Sequence, residues 1–415
     1  MPYDLNAPFW SDGAVKTRWF SVPDVNSKLT FNPTNTWLTP TGAVWIKHFE
    51  MQMTNGDPAS ARRLETRFIV RNTNGVYGVT YRWTNATEAI LVPEEGLDET
   101  LAINDGGAVR NQVWHYPGRA ECLTCHNAAA GLVLGLNTPQ LNRDYTHGAV
   151  TTNQIAALAA AGYVDNPPVP PQTYPALARA DDASMSQEFR VRSYLAANCA
   201  QCHRPGGLAL GNFDARLSTP TDSANLINGP LVNNFGDVKN MTLVQQSPEH
   251  SLILKRMSVR GPTQMPPLAS NLPDPAGVQL VSAFIAGEMA TRQSFAQWQI
   301  AKFHEPLPPE AAATADPDAD GASNLLEYLV NGDPLQAGDA WGIRAAWNDG
   351  VELRFQNPPN RAIVIETATA LPAVWTPLDT PENRPLFPES AGERVVTDAN
   401  PGDGFRLYRA RITAP

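Results

Sequence analysis

Two short motifs in the sequence combine a pair of thiols with an imidazole at the same spacing, Cys-x-x-Cys-His. Their residues are Cys122, Cys125 and His126 in the first motif, and Cys199, Cys202 and His203 in the second. In this pattern the thiols form thioether bonds with the vinyl groups of haem, and the adjacent histidine ligates the iron. All 4 cysteines of the chain belong to these motifs. The sequence therefore predicts two covalently attached haem c groups.

The same thiols could instead hold zinc, form two disulfide bonds or bind a single haem. A zinc ribbon places its second Cys-x-x-Cys pair ~15 to 20 residues after the first. Here Cys125 and Cys199 are much farther apart. A histidine directly follows both pairs, which neither a zinc ribbon nor a disulfide requires. These features favour two haems over the alternatives.

Met265, Pro266 and Pro267 follow the second motif after a long segment that contains glycine and proline. Two consecutive prolines stiffen the backbone that presents the methionine sulfur. A thioether opposite imidazole favours Fe(II) and raises the reduction potential of the iron. We therefore predict that Met265 is the second axial ligand of the haem at His203, and that this haem carries electrons instead of binding small molecules.

The first motif has no equivalent ligand, because no methionine lies between His126 and Met185. The candidates for its second axial ligand are His48, Met51, Met53, His115 and His147. A haem with two histidine ligands would be a low-potential electron relay. An iron with an open position could bind peroxide or another small molecule, which would indicate an enzyme. The sequence leaves these alternatives open.

A run of acidic residues near position 320 has the spacing of an EF-hand calcium loop. The predicted ligands are Asp316, Asp318, Asp320, Ala322 through its backbone carbonyl, Asn324 and Glu327. Gly321 at the sixth position permits the sharp turn, and Glu327 at the twelfth supplies two oxygen atoms. We predict that the loop binds Ca²⁺ and joins domains. The alternative is a solvated acidic loop.

Helical patterns flank the second motif. Residues 184–197 begin with serine and place apolar side chains on one face, and Asp274-Pro275 is a typical helix start. The order of helix, Cys-x-x-Cys-His, loop, Met-Pro and helix resembles that of class I c-type cytochromes. This resemblance implies a mostly α-helical cytochrome c domain over residues 176–292.

Both ends of the chain have the residue alternation and turn signals of β-structure. Asn74-Gly75, between segments rich in β-branched and aromatic residues, predicts a hairpin. Residues 335–415 contain a second set of strands and resemble the small β-sandwich appended to many exported bacterial proteins. Three aromatic residues there could contact carbohydrate, although core packing is the stronger expectation. They are Trp341, Trp347 and Trp375.

These elements predict a multidomain fold class with a β-rich N-terminal domain, one or more mostly α cytochrome c domains, an EF-hand-like calcium loop and a C-terminal β-sandwich. The expected boundaries are 1–117 for the β-rich domain, 118–175 for the first haem c segment and a proline-rich linker, 176–292 for the class I-like cytochrome c domain, 293–334 for a connecting helix and the calcium loop, and 335–415 for the small β-sandwich. The linker is expected at Asn166–Pro171.

The 415 residues carry 41 acidic and 31 basic side chains, for a formal net charge of −10. This balance disfavours binding to nucleic acid or to an anionic membrane surface. No apolar run approaches the ~18 residues that a membrane span requires, and Met1-Pro2-Tyr3-Asp4 lacks the features of a signal peptide. Because haem c is attached after export, we expect the processed part of a secreted precursor, located in the periplasm or outside the cell.

Three strings of the sequence resemble a family of exported, multidomain dihaem c-type cytochromes from bacteria. They are residues 3–14, 62–67 and 121–127, and the resemblance covers about residues 3–292. In that family this module often follows a PQQ-dependent, sugar-dehydrogenase-like β-propeller. The resemblance therefore implies a redox partner protein, an oxidising dehydrogenase, and implies no substrate for this chain itself.

The predicted function is the transfer of single electrons from such a dehydrogenase, through both irons, to an external acceptor. A second hypothesis is a dihaem peroxidase-like enzyme, in which the haem at His126 is open and the haem at His203 supplies electrons. A third is a cytochrome attached to polysaccharide or to the cell surface through the terminal β-sandwich. Low-spin spectra from both haems, unchanged by cyanide, would favour electron transfer over the enzyme.

Overall fold

The computed structural model describes residues 1–166, 170–402 and 404–415. Strands account for 28% of the chain and helices for 20%. The predicted fold class is therefore wrong, because it required one or more mostly α-helical cytochrome domains. Part of the predicted proline-rich linker, residues 167–169, lies outside the described residues. Within the described ranges, no helix is long and apolar enough to cross a bilayer.

The N-terminal part of the chain forms a six-stranded antiparallel sheet and a separate hairpin. Its strands are β1 (Pro2–Tyr3), β2 (Val15–Ser21), β3 (Leu29–Thr30), β4 (Val44–Gln52), β5 (Ala61–Asn72), β6 (Gly75–Trp83), β7 (Ala89–Leu91), β8 (Leu97–Asp105) and β9 (Ala108–Tyr116). The sheet has the order β1-β2-β4-β5-β6-β7, and β8 pairs with β9. Asn72 of β5 lies opposite Gly75 of β6, which confirms the predicted hairpin.

One face of the six-stranded sheet is covered by two apolar clusters. In the first cluster, Phe20 and Trp45 pack with Cys122 and with the loop that follows the first motif. In the second, Phe49 packs beneath the β8–β9 hairpin. Residues two apart on a strand share a face. Lys47 therefore lies between the two clusters on β4, on the covered face.

The middle of the chain contains short helices and three short strands. They are α1 (Arg119–Cys125), α2 (Thr138–Leu141), β10 (Asp144–His147), β11 (Val150–Asn153), α3 (Gln154–Ala160), β12 (Val164–Asp165), α4 (Gln187–Asn198), α5 (Leu252–Met257), α6 (Pro275–Ala286) and α7 (Glu288–Thr291). β10 pairs with β11, and β12 pairs in parallel with β3. The helices predicted on either side of the second motif are confirmed, because Ser186 caps α4 and Asp274 caps α6.

The predicted mostly α cytochrome c domain over residues 176–292 is not formed. Between α4 and α5 the chain is irregular, with 3₁₀ turns and isolated β-bridges. Glycine, proline and asparagine are frequent in this segment, and they favour turns over helix. Its apolar residues still reach a core, since Phe213, Leu226 and Leu243 pack against α4 and α6. The second motif is thus supported by α4, α6 and the long irregular segment between α4 and α5.

The C-terminal part begins with two helices and continues as two three-stranded sheets. The elements are α8 (Phe295–Phe303), α9 (Asn324–Val330), β13 (Arg344–Trp347), β14 (Val351–Asn357), β15 (Ala362–Ala368), β16 (Thr376–Pro377), β17 (Gly392–Asp398) and β18 (Leu407–Thr413). The sheets have the orders β13-β14-β17 and β16-β15-β18. Leu353, Ile363 and Val396 are buried in the core that the two sheets share.

The terminal sheets hold the start of α4, the helix that leads into the second motif. The Ser186 hydroxyl donates to Oδ1 of Asn360 at 2.6 Å. The rings of Phe189 and Phe387 stack with their centroids 4.1 Å apart. Asn360 also donates to the buried carboxylate of Glu188 at 2.9 Å. The position of the second motif therefore depends on the C-terminal sheets.

Candidate functional site

The first motif lies on α1, which packs against β6. Cys122 is buried, and a Cβ atom added at Gly78 of β6 would lie 2.8 Å from its sulfur. Glycine at position 78 thus leaves the space that the thiol occupies. The backbone N–H of His126 donates to the carbonyl of Cys122 at 2.9 Å. The thiols and the imidazole of the motif therefore share about one helical turn.

His126 is arranged as a neutral ligand. Its Nδ1 lies 2.7 Å from the backbone carbonyl oxygen of Leu132, and a carbonyl can only accept, so we assign the proton to Nδ1. Burial lowers the pKa of His126 to about 4, so the ring is neutral at pH 7. Its Nε2 then keeps a lone pair for a metal, with Leu132 orienting the ring from the opposite side.

The second motif follows α4 directly. The backbone N–H of His203 donates to the carbonyl of Cys199 at 2.9 Å. The His203 ring stacks on Phe213, with the ring centroids 4.1 Å apart. Burial, and then the positive charge of Arg256, lower the pKa of His203 to about 4. In the described part of the chain, its buried Nδ1 has no hydrogen-bond partner. The orientation of this ring is therefore set by packing and not by a hydrogen bond.

The structure brings the two motifs into contact. Cys125 and Cys202 lie close enough for their thiols to interact, which raises the pKa of Cys125 and lowers the pKa of Cys202. All 4 cysteines are free thiols. The two motifs are far apart in sequence, so this contact depends entirely on the tertiary fold.

A cleft extends from this contact between the sheet and the second motif. It encloses about 1780 Å³, counting the space that is open to solvent. Cys122, Cys125 and His126 line one part, and Ala200 and Gln201 of the second motif line another. The cleft therefore has space for a large organic group beside the first motif.

The donor atoms fit haem better than they fit zinc. A zinc site needs four ligand atoms around one ion. Among the described residues, the one group of ligand side chains that converges in this way is acidic and contains no cysteine. Each motif instead offers a pair of thiols and a neutral histidine beside them. This is the donor set that covalent haem requires.

Met265 is linked through its backbone to α5. Its backbone N–H donates to the carbonyl of Arg256 at 2.9 Å, and the charge of Arg256 acts on the His203 ring. The Met265 side chain is half-buried.

Of the five candidate ligands for the first haem, His115 lines the cleft. Its Nδ1 lies 2.6 Å from Asp98, and its Nε2 lies 2.8 Å from Glu121. Burial alone would lower the pKa of His115, but the hydrogen bonds with Glu121 and Asp98 outweigh it and raise the pKa. Both ring nitrogens are therefore engaged, and His115 offers no free lone pair to iron.

The other four candidates lie outside the cleft wall. His48 bonds through Nδ1 to the hydroxyl of Thr66 at 2.8 Å. His147 packs against the Tyr145 ring, with a centroid distance of 4.5 Å. Met51 is buried in the cluster beneath the β8–β9 hairpin, and Met53 packs against the same cluster. Within the described residues, none of the predicted ligands presents a free donor to the space beside His126.

Three cations that the sequence did not reveal as functional lie in the cleft wall. Arg18, Lys47 and Arg67 occupy facing positions on β2, β4 and β5, and all three line the cleft. The sequence contained one indication of this role, because Lys47 lies between the apolar residues Trp45 and Phe49 on one face of β4. A charged residue on a buried strand face is uncommon without a partner.

The predicted calcium loop contributes three residues to a cluster of carboxylates. Asp318, Asp320 and Glu327 place oxygen atoms within 4.8 Å of one another and of Asp339, which lies outside the loop. Burial, and then the neighbouring carboxylates, raise the pKa of Glu327 to about 7. The sequence did not identify Asp339, because its contribution depends on how the chain folds back after α9.

The remaining predicted calcium ligands form hydrogen bonds within and around the loop. Asp316 accepts a hydrogen bond from the backbone N–H of Gly321 at 3.0 Å. The Asn324 amide donates to the backbone carbonyls of Glu310 and Ala312, each at 2.7 Å. Ala322 donates through its backbone N–H to Asp320 at 2.9 Å. These bonds shape the loop, but they use neither the carbonyl of Ala322 nor the Oδ1 of Asn324, which is buried without a partner among the described residues.

The aromatic residues of the terminal sheets differ in their environment. Trp341 packs against Phe355, with ring centroids 6.0 Å apart. The guanidinium of Arg409 lies 4.5 Å from the centroid of Trp375. Trp347 is 74% exposed, so the expected core packing does not hold for this residue. A single exposed ring does not form a carbohydrate platform by itself.

Comparison with protein-family models, curated proteins and solved structures finds no match for this chain.

Proposed function

We propose that this protein is an exported electron carrier that holds two covalent haem c groups and passes single electrons from a dehydrogenase to an external acceptor. The observation that carries the proposal is that each motif places two thiols and a neutral histidine within about one turn of the chain, with the first motif on the wall of a cleft. Each haem supplies an iron that cycles between Fe(II) and Fe(III). Covalent attachment of haem c occurs after export, which supports a location in the periplasm or outside the cell.

The contact between the motifs supports a relay. Cys125 and Cys202 would each bond a vinyl group at the edge of a porphyrin, so they would hold the edges of two haems next to each other. Electron transfer becomes steeply slower as the distance between redox centres increases. Two haems held close together at their edges would therefore exchange electrons readily.

The environments of the two histidines support a direction for the transfer. His126 donates from Nδ1 to Leu132, which makes its Nε2 a stronger donor to iron. His203 has no such acceptor in the described part of the chain, and the thioether of Met265 would further favour Fe(II). Both differences give the second site the higher potential. Electrons would then move from the haem at His126 to the haem at His203.

Met265→Ala tests the second ligand. Loss of the thioether is expected to lower the potential of one haem and to convert that haem from low spin to high spin. Visible spectra and a redox titration of the full chain measure both effects. Met185→Ala is a matched control, because Met185 is also half-buried but lies beside the C-terminal sheets. An unchanged spectrum in Met265→Ala would contradict the ligand assignment.

A dihaem peroxidase-like enzyme is the second candidate function. It is favoured by one observation: none of the five predicted ligands presents a free donor atom in the cleft beside His126 among the described residues. An iron with an open position can bind and activate peroxide. Cyanide added to the oxidised protein distinguishes the two functions. A spectral change in one of the two haems supports the enzyme, and no change supports the relay.

A further inference from the structure

The cleft wall carries a row of positive charges. Lys47 lies directly between Arg18 and Arg67 on neighbouring strands. Like charges in facing positions destabilise a sheet, and burial increases that cost. Lys16, on the same strand as Arg18, adds a further buried cation nearby. Such an arrangement is unfavourable unless anions pair with the cations or a lysine loses its proton.

The protein supplies part of this compensation. Asp4 lies 3.4 Å from Arg18, and Glu65 lies 2.5 Å from Arg67. Lys47 is different: in the residues that the structure describes, its ammonium group forms no ion pair or hydrogen bond and lies 4.9 Å from the centroid of the Phe49 ring. Burial, and then Arg18 and other nearby cations, lower the pKa of Lys47 well below its usual range. The charged form of Lys47 is therefore unfavourable until an anion enters the cleft, although Glu65 offsets part of the cost.

The cofactor of the proposed function brings carboxylates to this cleft. Each haem has two propionate groups, and His126, the predicted iron ligand, lines the same cleft as the three cations. Ion pairs that are also hydrogen bonds are the strong polar contacts of a partly buried site. We propose that Lys47, flanked by Arg18 and Arg67, binds propionate carboxylates of the haem at the first motif. This inference rests on the proposed function.

Two substitutions of Lys47 in the full, haem-loaded chain test the inference. Lys47→Met removes the charge and is expected to fold, because it removes a buried cation without orphaning a protein partner. Without this cation the reduced iron is less favoured. We expect the reduction equilibrium of one haem to shift about tenfold towards Fe(III), which is ~59 mV for one electron. Lys47→Arg keeps the charge and should retain the potential of the unaltered protein.

The outcomes separate this inference from the proposed function. If Lys47→Met leaves both potentials unchanged, Lys47 does not contact a propionate. If Lys47→Met and Lys47→Arg both change the spin state of one haem, Lys47 is an iron ligand and the inference is wrong. If the unaltered chain carries no haem after expression in a host that matures c-type cytochromes, the proposed function fails before the inference is reached.

The carboxylate cluster supports a second inference that does not depend on haem. Glu327 is 1% exposed, and neither of its carboxylate oxygens has a hydrogen-bond partner in the described part of the chain. One oxygen each of Asp318 and Asp320 is also buried without a partner. Unpaired buried carboxylates are costly. Asp339 adds a fourth carboxylate to the same point.

These oxygens have the chemistry of a calcium site. Ca²⁺ accepts six to eight oxygen ligands in flexible geometry, whereas Mg²⁺ requires a near-ideal octahedron and keeps several waters. We propose that Asp318, Asp320, Glu327 and Asp339 bind Ca²⁺. Asp339 lies in the segment that leads into β13, so the ion would fasten the loop before α9 to the terminal sheets.

Calorimetric titration of the metal-free full chain with Ca²⁺ tests this site. We expect one Ca²⁺ per chain, affinity weakened at least about tenfold by Asp339→Asn because a charged ligand is lost, and no measurable binding in Glu327→Gln. Asp333→Asn is the control, because Asp333 lies nearby but pairs with Lys302 at 3.1 Å, and its affinity should stay within about twofold. Absence of binding to the unaltered chain would overturn the site. If Asp339→Asn binds Ca²⁺ as tightly as the unaltered chain, Asp339 is not a ligand of the site.

Discussion

Replacement of Cys199 and Cys202 by serine is expected to lower the haem content from two to one per chain. The remaining haem, at His126, should then be oxidised much more slowly by an external acceptor. The reason is that the relay places the haem at His203 between the first iron and the acceptor. Haem content is measured by the pyridine haemochrome spectrum, and oxidation is followed by stopped-flow absorbance of the reduced protein.

The matching substitution at the first motif is the control. Cys122→Ser with Cys125→Ser should also leave one haem per chain, but the remaining haem at His203 should be oxidised as fast as in the unaltered protein. If the two variants are oxidised at the same rate, the electrons do not pass through the irons in the proposed order. The contact between Cys125 and Cys202 would then have no role in the direction of transfer.

Arg292→Met is expected to destabilise the protein by about 3–5 kcal/mol, the usual consequence of removing one partner of a buried ion pair. Arg292 donates to Glu188 at 2.8 Å and to Asp222 at 2.7 Å. Glu188 is 2% exposed, so its carboxylate would remain buried without its hydrogen-bonded ion-pair partner. Urea unfolding, followed by tryptophan fluorescence, measures the free energy of unfolding.

Lys302→Met is the control for this effect. Lys302 pairs with Asp333 at 3.1 Å, but both side chains are partly exposed. Such a pair contributes only about 0–1 kcal/mol. The double variant Glu188→Gln with Arg292→Met should recover part of the stability lost in Arg292→Met, because no buried charge is then left unpaired. Equal losses in Arg292→Met and Lys302→Met would contradict the importance that the structure gives to the buried pair.

Local features of the fold could be predicted from the sequence because their causes are local. Asp274-Pro275 starts α6 since the aspartate side chain accepts from the backbone N–H groups of the first turn. Asn74-Gly75 permits the tight turn between β5 and β6. The two helices that flank the second motif were placed correctly, but the inference from them to a helical domain was wrong. Loop residues such as Phe213 supply much of the core there, and loops leave no periodic pattern in a sequence.

The candidate site also has features that could be predicted from the sequence and features that could not. The six residues of the two motifs can be identified by type and spacing, but the contact between Cys125 and Cys202 cannot, because it joins distant segments. The five candidate ligands of the first haem were chosen by residue type alone. Their orientation depends on strand pairing, which turns His48 towards Thr66. The roles of Asp339 and Lys47 also depend on tertiary contacts and strand register, so the sequence did not reveal them.

The central claim is that both motifs hold covalent haem. The most direct test is the pyridine haemochrome spectrum of the full chain, expressed in a host that matures c-type cytochromes, together with the mass of the intact denatured protein. We predict two haems per chain, both retained after denaturation. A colourless protein, or one that contains zinc in place of iron, would contradict the account.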